Sequence, residues 1–223
     1  MHPRHRESAE LMRLRLERGA HEPRAFREAL LQVPPSARDA WVDAVLGLGE
    51  LPYDGPDLPR DCVPYLPCPV DALLRIVETA PVGAADVFVD VGSGVGRATA
   101  LVHLLTGAVA VGLEVQRELV AAARCLAGRL PGCRISTVEG DAAELVGSIA
   151  AGSVYFLYCP FSGHRLGKVL AALEPVARSR RICVCCVDLP LPPCDWLAPE
   201  PPGWRDLTVY RSIDRKGSGR AIG

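Results

Sequence analysis

Three glycines at alternate positions, Gly92, Gly94 and Gly96, follow a short apolar segment whose one charged residue is Asp90. A glycine turn between a strand and a helix lets a ligand approach the backbone, because no Cβ intervenes and positive φ angles are accessible. The dinucleotide fingerprint requires Gly-x-Gly-x-x-Gly, and the position of its third glycine is occupied here by Arg97. The spacing therefore predicts a loop that binds a nucleotide-like ligand but departs from the dinucleotide pattern.

The carboxylate of Asp90 indicates the charge of that ligand. Beside a pyrophosphate it would place like charges together, at a cost of about a few kcal/mol in a half-buried cleft. A ligand that carries an ammonium and a sulfonium group would instead be attracted. S-adenosylmethionine has both groups, so Asp90 and Arg97 favour this cofactor over NAD, which the loop alone would also suit.

Two further carboxylates lie at the ends of predicted strands. Glu114 comes after the run 109–113 and can accept both ribose hydroxyls of a nucleoside; its alternative role is a charge at the N-terminus of the next helix. Asp141 follows the run 134–138 and can accept from the adenine amino group while the N–H of Ala142 meets a ring nitrogen. The alternative for Asp141 is an N-cap of the helix that starts at Ala142.

The motifs at 87–96 (VFVDVGSGVG), 112–114 (GLE) and 139–141 (EGD) resemble those of class I S-adenosylmethionine-dependent methyltransferases. The first motif is particularly similar to the Dot1-like branch, whose eukaryotic members methylate a histone lysine. The resemblance covers roughly residues 65 to 213 and implies that Asp90, Gly92, Gly94, Glu114 and Asp141 surround the cofactor. With the adjoining loop and strand-end residues, the predicted cofactor site is Asp90, Gly92, Ser93, Gly94, Gly96, Glu114, Val115, Asp141, Ala142 and Tyr158.

Alternating apolar runs and amphipathic stretches after residue 70 predict how these residues are positioned. The pattern indicates βαβ units and a parallel sheet. Predicted strands are 86–91, 109–113, 134–138, 154–158 and 181–187, predicted helices are 96–106, 117–127, 142–150 and 163–176, and 207–213 is a late, antiparallel strand. We expect an α/β, Rossmann-like class I methyltransferase fold, a mostly parallel sheet with helices on both faces, plus an N-terminal helical extension.

The chain divides into four parts by composition. Residues 1–50 form the helical extension, which we predict to be a substrate lid, with a dimerisation element as the alternative. Residues 51–69 are a proline-rich connector, in which 65–69 either closes over the methionine part of the cofactor or is a plain link. Residues 70–213 are the methyltransferase domain, and 214–223 are a flexible tail.

The junction after the fourth predicted strand faces the transferable methyl in class I methyltransferases. Enzymes that act on adenine or glutamine amides carry Asn or Asp, then Pro-Pro and Tyr or Phe there, whereas this chain has Tyr158-Cys159-Pro160-Phe161. Amide and ring nitrogens are therefore disfavoured as acceptors. Tyr158 and His164 are weak catalytic candidates; the alternatives are a wall of the pocket for Tyr158 and an exposed helix residue for His164. Asp188 either faces the same rim or is a solvated loop charge.

Composition and charge limit the classes of partner and the cellular location. The 25 Lys and Arg against 26 Asp and Glu give a net charge of -1, which disfavours a nucleic-acid partner. No apolar run is long enough to span a bilayer and no signal-peptide pattern opens the chain, so we expect a soluble, cytoplasmic protein without membrane association. Three of the 9 cysteines, Cys183, Cys185 and Cys186, lie in one apolar run, which predicts buried free thiols and no metal site.

The sequence thus predicts a methyltransferase that uses S-adenosylmethionine and transfers the methyl by in-line displacement to a protein lysine or a small molecule. Two alternatives stay open. One is a binding module that keeps the cofactor pocket without catalysis, and the other is an NAD-dependent oxidoreductase. The oligomeric state is left open.

Overall fold

The computed structural model describes residues 1–50, 52, 58–59, 61–201 and 206–213, in which three N-terminal helices precede alternating strands and helices. The helices are α1 (Pro3–Glu17), α2 (Pro23–Leu31), α3 (Pro35–Leu46), α4 (Val70–Thr79), α5 (Arg97–Thr106), α6 (Arg117–Gly128), α7 (Ala142–Leu145) and α8 (Gly163–Ser179). The strands are β1 (Val87–Val91), β2 (Val109–Glu114), β3 (Ile135–Glu139), β4 (Val154–Tyr158), β5 (Cys183–Val187), β6 (Leu197–Pro199) and β7 (Leu207–Ser212).

The described strands form one sheet in the order β3-β2-β1-β4-β5-β7-β6. Strands β1 to β5 pair in parallel, and β7 is antiparallel to both β5 and β6. The chain moves outward from β1 to β3 and then returns to place β4 on the other side of β1. In such sheets the crevice outside the carboxyl ends at this reversal point is where ligands bind. The predicted mostly parallel α/β fold is confirmed.

Alternate residues of β1 face two different hydrophobic cores. Phe88 packs with the residues of α1 to α5, and its ring stacks on Phe156 with the centroids 5.8 Å apart. Val89 and Val91 pack with α7 and α8 on the opposite face. This period-2 alternation in a strand buried on both sides explains why the run is apolar almost throughout, and it makes the charge of Asp90 conspicuous.

The N-terminal extension shares its core with the sheet. The buried rings of Phe26 in α2 and Trp41 in α3 lie 5.8 Å apart, and both belong to the same apolar cluster as Leu101 of α5. The predicted helical character of residues 1–50 is confirmed. Helix α2 packs against α5, and α3 packs against both α4 and α5. The role of the extension as a lid remains a prediction.

Several element boundaries differ from the sequence pattern. The helix predicted at 142–150 ends after one turn at Leu145 and continues as a 3-10 turn, Val146–Ser148. Strand β6 was not predicted, because its 3 residues end in a proline and show no alternation. The prediction of a flexible tail at 214–223 lies outside the described residues.

Strand β5 consists of Cys183, Val184, Cys185, Cys186 and Val187, all of them buried. The cysteines carry free thiols, and the Sγ atoms of Cys183 and Cys185 are 3.9 Å apart. The prediction of buried free thiols is confirmed for this strand. Within the described part of the chain, no helix has the length and apolarity that crossing a membrane requires.

Candidate functional site

The glycine loop after β1 has a left-handed backbone at each of its three glycines. The φ angles are 84° at Gly92, 54° at Gly94 and 77° at Gly96. A Cβ at Gly92 would lie 2.7 Å from Cβ of Pro160, and a Cβ at Gly94 would lie 2.0 Å from Cε2 of Tyr65. Two of these positions therefore require glycine both for conformation and for space.

A cavity of about 280 Å³ opens where the order of the sheet reverses. Of the predicted site residues, Gly92, Glu114, Val115, Asp141, Ala142 and Tyr158 line it. Asp90, Ser93, Gly94 and Gly96 are buried beside it, whereas His164 is exposed outside it. The remaining lining residues come from the connector, the strand ends with the turns after them, and α8: Leu58, Cys62, Val63, Pro64, Tyr65, Leu66, Leu113, Gln116, Cys159, Pro160, Phe161, Arg165 and Asp188.

Glu114, at the end of β2, holds the glycine loop. Its Oε2 accepts from the N–H of Gly94 at 2.8 Å, and its Oε1 accepts from Val115 at 2.9 Å and from Gln116 at 2.8 Å. The alternative role, a charge at the start of α6, is thus realised. A carboxylate has about four acceptor positions. Because three are already used, accepting both hydroxyls of a ribose requires Glu114 to release at least one backbone partner.

The N–H groups of the loop are directed into the protein. Gly92 and Ser93 donate to the carbonyl of Leu113 at 2.9 and 3.0 Å, Gly96 donates to Ser93 at 2.9 Å, and Gly94 donates to Glu114. Phosphate-binding loops work by presenting free N–H groups to the anion. Here these four donors are committed, so the loop is poorly suited to a diphosphate.

Asp90 lies beneath the loop and is 3% exposed. Its Oδ2 accepts from Oγ1 of Thr99 at 3.0 Å. The pKa of Asp90 is raised to about 7, mainly by burial; the hydrogen bond from Thr99 opposes this shift, and the nearby carboxylate of Glu114 adds a smaller increase. Asp90 was predicted to contact the cofactor; from this buried position we expect its charge to act across the loop backbone.

Asp141 caps α7, as its alternative interpretation proposed. Its Oδ1 accepts from the N–H of Ala143 at 2.9 Å, and its Oδ2 forms an ion pair with the guanidinium of Arg165 in α8. This hydrogen bond to Asp141 is the main reason why the pKa of Arg165 is raised. Arg165 could not be identified from the sequence, because the residue with which it pairs, Asp141, lies in the turn after β3. The predicted adenine contact of Asp141 stays a prediction.

Tyr158 lines the cavity at the end of β4. Burial raises the pKa of its hydroxyl, with smaller contributions from Cys68 and Asp188. The group therefore stays protonated at neutral pH, which favours the wall interpretation over a general base. His164 is the second residue of α8 and is exposed, in agreement with its alternative reading.

Among the residues that the structure describes, left-handed backbone also occurs at three that are not glycines. The φ angles are 68° at Asp61, 43° at Cys159 and 50° at Asp188. Cys159 and Asp188 line the cavity, and Asp61 precedes Cys62, which lines it as well. Such conformations cost about 1–3 kcal/mol each and concentrate at functional sites. Nothing in the residue types revealed Cys159, because cysteine has no preference for this conformation.

The connector covers one side of the cavity. The N–H of Val63 donates to the carbonyl of Pro160 at 3.0 Å, and the N–H of Ser162 donates to Asp61 at 3.1 Å. These bonds place the ring of Tyr65 against Gly94. Burial is also the main cause of a raised pKa at the Tyr65 hydroxyl. The segment 65–69 is therefore packed on the loop.

Arg97 joins the N-terminal helices to this segment. Its Nε donates to Asp43 at 2.6 Å, one terminal nitrogen donates to Asp39 at 2.9 Å, and the other donates to the carbonyl of Cys68 at 2.6 Å. The Oδ1 of Asp39 also accepts from the N–H of Val70, the first residue of α4. Arg97, which occupies the position of the third glycine of the dinucleotide fingerprint, therefore links α3 to the segment 65–69.

The charged side chains in and beneath the cavity suit a positively charged nucleoside. Glu114, Asp141 and Asp188 line it, Asp90 lies beneath it, and among the described lining residues the one guanidinium, that of Arg165, is paired with Asp141. These carboxylates favour hydroxyls, amines and positive charge, and they disfavour phosphate. The residues present therefore fit S-adenosylmethionine better than a dinucleotide.

Comparison with known proteins agrees with this geometry. No family model and no curated protein matches the sequence. Among solved structures, an RNA methyltransferase from Salinibacter ruber in complex with S-adenosyl-L-homocysteine matches 71% of this chain and 100% of its own, with 25% identity and a TM-score of 0.51. A structure described for the conversion of a disulfide bond into a thioacetal group during echinomycin biosynthesis matches 66% of this chain and 83% of its own, with 17% identity and a TM-score of 0.51. The chain has the Rossmann-like fold of these proteins.

Proposed function

We propose that this chain is an S-adenosylmethionine-dependent methyltransferase that binds its cofactor at the carboxyl ends of β1, β2 and β3. The observation that carries the proposal is the commitment of the N–H groups of Gly92, Ser93, Gly94 and Gly96 to acceptors inside the protein. A loop in which these four donors are already used, and which carboxylates surround, suits a positively charged nucleoside. The similarity to a methyltransferase structure that holds S-adenosyl-L-homocysteine supports the same cofactor.

Different residues of the chain contact different parts of this cofactor. Glu114 accepts hydrogen bonds from the ribose hydroxyls, and Asp141 and Ala142 lie at the adenine end. Asp90 contributes a negative potential beneath the loop. When bound, the cofactor supplies a methyl group on a sulfonium that is already activated for displacement. The protein's part is to align the acceptor with that methyl and to exclude water, and alignment of this kind can contribute about 7–11 kcal/mol.

The acceptor lies at the side of the cavity formed by Tyr158, Cys159 and Asp188. Exposed apolar side chains of Val63 and Leu66 border the same cavity. A carboxylate beside apolar surface favours a cationic or neutral acceptor, so we infer a protein lysine or an amine-bearing small molecule. A lysine acceptor would also agree with the resemblance of the first motif to the Dot1-like branch. The Salinibacter protein acts on RNA, but a polyanion would meet three carboxylates here.

Calorimetry and a turnover assay together test the proposal. We expect S-adenosylhomocysteine to bind the full chain at one equivalent and NAD to give no heat. Binding of NAD without S-adenosylhomocysteine would overturn the cofactor assignment and favour the oxidoreductase alternative. Cofactor labelled in its methyl group is then supplied with basic proteins, small-molecule extracts and RNA in parallel. Transfer to protein or small molecules is expected, transfer to RNA alone would contradict the acceptor class, and binding without any transfer would favour the non-catalytic module.

A further inference from the structure

Three side chains that offer nitrogen and sulfur ligands meet far from the cavity. His21 lies in the link between α1 and α2, His103 lies in the last turn of α5, and Cys133 lies just before β3. One ligand atom from each lies within 4.8 Å of the other two. The residues are widely separated in the chain, so no local spacing could have identified the group.

Hydrogen bonds to backbone carbonyls orient both imidazole rings. Nε2 of His21 donates to the carbonyl of Leu104 at 3.0 Å, and Nδ1 of His103 donates to the carbonyl of Ala108 at 2.6 Å. The lone pairs are consequently on Nδ1 of His21 and Nε2 of His103. Histidines that bind metals almost always donate their second N–H to a carbonyl or a carboxylate in this way. The rings lie 5.2 Å apart between centroids and are tilted by 33°.

The Cys133 thiol would bind a metal ion as the thiolate and release its proton to solvent. The thiolate charge is needed, because the guanidinium of Arg134 opposes a cation.

The position of the cluster indicates a structural role. His103 and the carbonyl of Leu104 are at the C-terminal end of α5, where the helix dipole favours positive charge. Ala108 precedes β2 and Cys133 precedes β3, so the cluster lies at the amino ends of the strands. The cofactor cavity lies at their carboxyl ends, on the opposite edge of the sheet.

We propose that His21, His103 and Cys133 bind one divalent transition-metal ion of the zinc type, with water completing a tetrahedral set. Zinc bonds of about 2.0–2.3 Å require ligand atoms about 3.3–3.7 Å apart, so the side chains close by about 1 Å. The ion ties the link after α1 to α5 and to the turn before β3, and it thereby fixes the N-terminal extension on the domain. This proposal is independent of the cofactor assignment and replaces the expectation of no metal site.

Cobalt(II) provides a direct probe of the site, since thiolate coordination gives a charge-transfer band and a tetrahedral site gives intense visible bands. Full-length protein treated with a chelator is titrated with Co²⁺ and then with Zn²⁺. We expect one equivalent of Co²⁺ to produce both sets of bands and Zn²⁺ to displace it. We also expect Zn²⁺ to raise the melting temperature and to slow trypsin cleavage at Arg18 and Arg24, which flank His21. A titration that yields no bands would overturn the proposal.

Matched variants assign the ligands. Cys133→Ser should abolish the charge-transfer band and weaken binding by at least tenfold, whereas Cys125→Ser, at an exposed cysteine of α6, should bind like the unaltered chain. If Cys133→Ser does not fold, His21→Ala changes a partly exposed ligand and should weaken binding by at least tenfold with the far-ultraviolet spectrum retained. Bands that persist in Cys133→Ser, or undiminished affinity in His21→Ala, would show that the ion binds elsewhere and refute the assignment.

Discussion

Replacing Gly94 by alanine tests whether the glycine loop and the connector form one site. The new Cβ would lie 2.0 Å from Cε2 and 2.1 Å from Cδ2 of the Tyr65 ring. Ordinary contacts to a Cβ begin at 3.4 Å, so the ring must retreat by about 1.4 Å. The φ angle of 54° adds a conformational cost of about 1–2 kcal/mol for a residue with a side chain.

The expected result is a loss of both stability and binding. We expect the free energy of unfolding in urea to fall by about 1–3 kcal/mol. The affinity for S-adenosylhomocysteine, measured by calorimetry, should fall at least tenfold because the ring that the new Cβ displaces, that of Tyr65, lines the cavity. Gly128→Ala is the matched control, since a Cβ there has no neighbour within 4 Å. It should leave binding unchanged.

A double variant separates the clash from the backbone cost. With Tyr65→Ala in place, Gly94→Ala should cost only the conformational part, about 1–2 kcal/mol. If Gly94→Ala alone binds and unfolds like the unaltered chain, the ring does not press on the loop and the described arrangement is wrong. An equal cost with and without Tyr65 would likewise refute the steric argument.

Three other substitutions give distinct results. Because the pKa of Asp90 is raised to about 7 in the folded chain, its contribution to stability is present below about pH 4 and is lost as the pH rises through 7. The free energy of unfolding of Asp90→Asn in urea should therefore rise relative to that of the unaltered chain between pH 4 and 8, by at most about 4 kcal/mol. The variant should also bind S-adenosylmethionine more weakly at pH 8. A difference in stability that does not change with pH would contradict the raised pKa. Glu114→Gln should lower the affinity for S-adenosylhomocysteine at least tenfold in calorimetry, and an unchanged affinity would remove Glu114 from the site. In Arg97→Lys the ammonium group cannot reach Asp39, Asp43 and the backbone together, so the free energy of unfolding in urea should fall by about 1–3 kcal/mol. A loss below about 0.5 kcal/mol, which is typical of a surface substitution, would contradict the linking role of Arg97.

Local pattern was sufficient for most of the sheet. The runs that became β1, β2, β4 and β5 are short and apolar, and the more polar run of β3 lies between two helical stretches. Their alternation with helices predicted a parallel arrangement. The carboxylates Glu114 and Asp141 were predicted because strand ends meet at one edge. The pattern failed at β6, which has 3 residues and depends on pairing with β7 rather than on its own composition.

Contacts between distant segments could not be predicted from local pattern. The guanidinium of Arg165 reaches Asp141, and that of Arg97 reaches Asp43 in a different helix. The burial of Asp90 beneath the loop could not be predicted either, because the same residue type can line a cavity or lie beneath it. In each case the contacts of the side chain depend on how the helices pack on the sheet.

A crystal structure of the full chain grown with S-adenosylhomocysteine tests the central claim most directly, with a second crystal grown with NAD as the comparison. We expect a nucleoside in the cavity with its ribose hydroxyls on Glu114, while the N–H groups of Gly92, Ser93 and Gly96 keep their acceptors inside the protein. The NAD crystal should show no dinucleotide at the loop. A diphosphate bound to those N–H groups, or a nucleoside located away from Glu114, would contradict the central claim.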